Sequence, residues 1–86
     1  MHEMPLLENV LSIVIDAGRA GAASKIVSVT LRLGPFSDAD EVWLNRYFEV
    51  LARGTSAEGA VLKIKRDLAP SLNGSEYYVE SIEVSD

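Results

Sequence analysis

The chain uses histidine once, at position 2, between the opening methionine and a glutamate: Met1-His2-Glu3. A free α-amine, the His2 amide nitrogen and the His2 imidazole can close fused chelate rings on one metal ion. The Glu3 amide or carboxylate supplies a fourth equatorial donor. Amide nitrogens bind a metal only when deprotonated, which selects square-planar nickel(II) or copper(II) over zinc, calcium or magnesium. Uptake through these groups releases protons and weakens as pH falls, the imidazole titrating near ~6.5 when unperturbed. Met1 is expected to persist, since initiator methionine is removed ahead of small residues and His2 is not small. Against this stands a plain alternative: a His-Glu pair at the terminus of an arbitrary protein is more often inert.

Other chemistry is harder to build. There is no cysteine, which removes disulfides, thiolate zinc sites and cysteine nucleophiles together. No second histidine is available to serve a serine, and no Gly-rich phosphate loop follows a strand. An enzyme is therefore not expected. Net charge is −5, which argues against nucleic acid and against an anionic membrane surface. No apolar run reaches the ~20 residues of a membrane span, and Glu3 and Glu8 stand where a signal peptide would be basic. These features point to the cytoplasm. Glu76, Glu80, Glu83 and Asp86 read as a solvated acidic strand face. Arg46, Arg53, Lys63, Lys65 and Arg66 read as solvated charges or a docking surface.

Eighty-six residues make one small domain. Pro5 suits the first turn of a helix. Leu7, Val10, Leu11 and Val14 recur at helical spacing, widened by Leu6 and Ile13, and glycine is the natural stop between Gly18 and Gly21. In "KIVSVTLRLG", Val27, Val29, Leu31 and Leu33 alternate with Ser28, Thr30 and Arg32, which predicts a strand with one buried face, ended by Gly34-Pro35. "SDADEVWLNRYFEVLARG" predicts a second helix with stripe Leu44, Tyr47, Phe48 and Leu51. Asp38/Glu41 or Ser37/Asp40 have capping-box spacing, and Gly54 closes the helix. Trp43 is placed in the core or at its rim. "AVLKIKR" buries Leu62 and Ile64. "YYVESIEV" changes parity between Tyr77, Val79 and Ile82, Val84, which predicts a bulge near Glu80-Ser81. The expected fold is α+β, two helices on a three-stranded mixed sheet, in the order α-β-α-β-β. The strand–helix–strand unit suggests a parallel crossover, and the short link after it a hairpin-like antiparallel partner. The terminal strand and sheet edge leave a homodimer open.

In this order, "MHEMPLLENVL", "VTLRLGPFS", "YFEVLARGTSAEGAVLKI" and "YVESIEV" resemble the HypA/HybF family of nickel-delivery proteins for nickel–iron hydrogenase maturation. The resemblance covers most of the chain. It implies a nickel(II) metallochaperone using Met1, His2 and Glu3, with Asp40 near the start of the second helix. A helix cap explains Asp40 equally well. It implies the HypB GTPase and the hydrogenase large subunit as partners. One departure is large. The family carries an insertion with two Cys-x-x-Cys pairs before the last strand, whereas here a short connection, about 67–75, holds none. Residues 1–86 are then a single nickel-binding domain without its zinc module, and no zinc is expected. The alternative is a metal-free interaction module, a degenerate or truncated scaffold that docks through a helix.

Overall fold

The computed structural model describes residues 3–34, 40–66 and 77–85. Five elements follow one another: α1 (Glu3–Ala20), β1 (Lys25–Leu33), α2 (Glu41–Leu51), β2 (Val61–Arg66) and β3 (Tyr77–Ser85). They make an α+β domain, two helices on one three-stranded mixed sheet.

Apolar periodicity explains the helices. Leu7, Val10 and Val14 are fully buried on α1, and Leu44 and Phe48 on α2, against Ile26, Val29, Leu31, Leu33 and Leu62 of the sheet. Ile13 departs from the expected stripe and is exposed. Neither glycine expected to stop α1 takes the left-handed backbone. That conformation falls to Ala22, at φ 54°, while the Gly21 and Ala23 N–H groups bond back to Ala17 and Gly18 carbonyls.

The sheet order is β2-β1-β3. β1 is parallel to β2 and antiparallel to β3. The expected antiparallel partner is present, but it pairs with β1 and not with the strand it follows. Arg66 and Tyr77 both stand opposite Leu33, on its two sides, so β1 lies between β2 and β3. β2 and β3 are therefore not paired with each other.

Two irregularities set which residues face the core. Glu80 is an extra residue between the Thr30–Ser81 and Leu31–Val79 pairs, the expected bulge. A second lies in β1, where Val27 falls between the Ile26–Val84 and Ser28–Glu83 pairs. An added residue flips parity beyond it. Ile26 is therefore buried at 1% exposure and Val27 stands outside at 44%, the reverse of the alternation expected for that end. Val84, on an outer strand, is half-exposed.

Candidate metal centre

Topology assembles one end of the domain. α1 turns into β1 and so runs against it. α2 joins two parallel strands and runs against both. The helices therefore start at the same end. That end gathers Glu3, Asp40, the last residues of β1 and β2, and the first of β3. Of the expected ligands, Met1 and His2 lie outside the described residues, Glu3 opens α1, and Asp40 caps α2. Among the described residues no three metal-binding side chains cluster.

Asp40 is the N-cap. Its backbone is extended (φ −92°, ψ 127°), and its Oδ1 accepts from the Val42 N–H (2.8 Å) and the Trp43 N–H (3.3 Å). These are two of the donors a helix start leaves without an internal acceptor. No capping box forms on Asp40, because Trp43 occupies the third helical position. Ser37 and Asp38 lie outside the described residues. Both cap bonds use Oδ1, so Oδ2 has no partner among the described residues.

Beside Asp40, Val42 and Trp43 are 63% and 52% exposed, and the Trp43 ring stacks on Tyr47 at 5.4 Å. Trp43 is thus at the rim. One tie to this end was not evident from residue pattern. The Asn9 side-chain amide donates to the Tyr77 hydroxyl at 2.8 Å, fastening the helix that carries Glu3 to the first residue of β3. No sequence spacing announces a bond over 68 positions.

The sheet face away from the helices is charged and paired. Glu80 accepts from Arg32 (2.7 Å) and sits 3.5 Å from Lys65. Glu83 accepts from the buried Ser28 hydroxyl and from Lys63 (3.0 Å). The Arg32 bond holds the Glu80 carboxyl below the ordinary carboxylate range, and the Ser28 and Lys63 bonds do the same for Glu83. The acidic strand face expected for Glu80 and Glu83 is therefore an ion-paired ladder. Glu76 and Asp86 lie outside the described residues. Arg46 and Arg53 line a groove of about 670 Å³ between α2 and the start of β2.

Residues 1–73 match the family model for hydrogenase/urease nickel incorporation, metallochaperone, hypA. That description defines a class, the metallochaperones of nickel incorporation. The chain belongs to this family, HypA. It is 40% identical over 65 residues to the hydrogenase maturation factor HypA of Methanopyrus kandleri, covering 76% of this chain and 46% of that protein. The HypA of Dehalococcoides mccartyi is 27% identical over 114 positions, covering all of this chain and 96% of that protein. That alignment is longer than this chain, so the relative carries stretches with no counterpart here. In general the chain spans about half the length of the curated relatives it matches. The solution structure of the nickel metallochaperone HypA from Helicobacter pylori superposes with a TM-score of 0.80 at 16% identity, covering 99% of this chain and 98% of that one, a likeness of fold.

Proposed function

We propose that this chain binds nickel(II) through Met1, His2 and Glu3, with Asp40 beside them, and hands the ion on during maturation of nickel–iron hydrogenase. The observation that carries this reading is that α1 begins at Glu3. The first N–H groups of a helix have no internal acceptor. In a helix that starts at Glu3, the N–H groups of Glu3 and Met4 have no carbonyl within the helix to bond, and Pro5 has no N–H. Nickel can thus replace the amide protons of His2 and Glu3 without breaking one helical hydrogen bond.

Charge supports the same ligand set. Two helices start at this end, and the positive partial charge of their N-termini disfavours a bare dication. Two deprotonated amides cancel the charge of nickel(II), and a carboxylate makes the complex anionic, which helix N-termini favour. Release follows the reverse path. Protonation of the amides restores a cation at two positive helix ends, so acid expels the ion for both reasons.

In this role the partners are the HypB GTPase and the hydrogenase large subunit, and the place is the cytoplasm. No helix among the described residues is long and apolar enough to cross a membrane. Residues 1–86 act as one nickel-binding domain, the 67–75 connection standing where the family has its cysteine-bearing insertion. Without a cysteine these residues cannot form a thiolate zinc site.

The test is a calorimetric and optical titration of nickel(II) into protein with an authentic, untagged Met1, beside His2→Ala. A one-to-one complex with a square-planar absorption band, lost in His2→Ala and weakening as pH falls, is expected. No binding by the untagged protein would refute the role. One observation favours a second reading, a metal-free docking module: the exposed Val42, Trp43 and Val50 on α2. That reading predicts the same fold with no nickel uptake.

A further inference from the structure

Asn45 sits on α2 but hydrogen-bonds like a strand residue. Its Nδ2 donates to the Leu62 carbonyl (2.9 Å), and its Oδ1 accepts from the Leu62 N–H (3.0 Å). A primary amide that offers one donor and one acceptor side by side copies a peptide group. This one stands where the peptide of a neighbouring strand would stand, on the outer edge of β2. Strand alternation turns the Ile64 N–H and C=O to the same open side.

The two outer strands of the sheet carry opposite charge. β2 presents Lys63 and Lys65, and β3 presents Glu80 and Glu83, all on the face away from the helices. Within one molecule these groups meet only by reaching across β1, Lys63–Glu83 at 3.0 Å and Lys65–Glu80 at 3.5 Å. That reach spans two strand spacings, roughly 9–10 Å. A β3 laid directly beside β2 would be one spacing away, about 4.8 Å, the distance of an ordinary cross-strand pair. β2 and β3 run in opposite senses. A second copy placed edge to edge therefore makes an antiparallel junction, with both helix layers on one side. The contact is head-to-tail and does not close on itself, so nothing in it stops at two copies.

We propose that the β2 edge is a latent pairing surface for the β3 edge of a second copy of this chain, and that Asn45 is the gate that keeps it shut. A sheet whose two edges attract each other needs one of them blocked. Asn45 blocks β2 by satisfying the Leu62 peptide before another chain can. The device is independent of metal.

The test is sedimentation velocity of Asn45→Ala against the wild type, over a range of concentrations at low ionic strength, with circular dichroism to confirm the fold. The wild type should sediment as one species. Asn45→Ala should form a concentration-dependent series of oligomers, with an assembled fraction at least tenfold larger. Added salt should shrink the series, and Lys65→Glu in the same chain should abolish it. Where Asn45→Ala does not fold, Asn45→Asp serves, because its carboxylate keeps the bond from the Leu62 N–H and repels the Leu62 carbonyl. A folded variant that sediments like the wild type overturns the proposal. So does an assembly indifferent to Lys65→Glu.

Discussion

Asp40 holds α2 with one oxygen, while the other has no partner among the described residues, and the two can be tested apart. Asparagine caps a helix as well as aspartate does, whereas alanine loses about 1 kcal/mol. Asp40→Asn should therefore melt with the wild type and Asp40→Ala below it, in urea or heat. If the carboxylate contributes to the nickel site, both variants should bind nickel more weakly by the same factor. A nickel affinity that follows stability instead, reduced only in Asp40→Ala, would leave Asp40 a cap alone. Glu80 and Glu83 make a separate prediction, about acid. Both have pKa values depressed in the folded state. Their contribution is complete above the ordinary carboxylate range, begins to fade below about pH 4 and continues to fade through the lower folded values. Melting temperature should fall along that acid limb, and Glu83→Gln should flatten it while lowering stability at neutral pH. An unchanged limb in Glu83→Gln would show that the Ser28 and Lys63 bonds do not set it.

At the scale of elements, the turns invite a reciprocal pair of substitutions. Ala22 sits in the left-handed region, which costs an L-residue about 1–2 kcal/mol, and Gly59 occupies it freely at φ +80°. Ala22→Gly should stabilise by about 0.5–1 kcal/mol, after the entropy glycine loses on folding, and Gly59→Ala should destabilise by about 1 kcal/mol. Denaturant midpoints check both. Position 22 also shows why the residue pattern was only partly sufficient. Two glycines lay within reach and the chain used an alanine, since hydrogen bonding back to Ala17 and Gly18 fixed the turn. The strands divide the same way. Which face a side chain takes was legible where alternation is unbroken, as at Val29, Leu31 and Leu33, and the Glu80 bulge announced itself through a parity change. The β1 bulge did not, because Ile26 and Val27 are both apolar and either could face inward. Asn45 and Asn9 gave no warning at all. Each is a helix-surface amide whose partner is fixed by tertiary packing. In the candidate site the residue types were readable, and so was the capping role of Asp40. That Glu3 and Asp40 share an end followed only once the helix directions were known.

On the scale of the whole molecule, one core residue carries a large share of stability. Phe48 is buried between α2 and the sheet, and Phe48→Ala should cost about 3–5 kcal/mol. A domain of this size holds only about 4–13 kcal/mol in total, so the variant should melt far lower, or be unfolded at room temperature. The sheet order has a kinetic consequence as well. β1 is the central strand, and one of its two neighbours is the last element of the chain, with Lys25 opposite Ser85. Pairings that distant are slow to form, because a long loop must close before they yield anything. On the ribosome β1 is made well before β3, so the central strand waits for one of its two neighbours until residues 77–85 have been added. Until then one side of β1 offers unpaired peptide groups to any other chain nearby, which makes the half-made domain a target for mispairing.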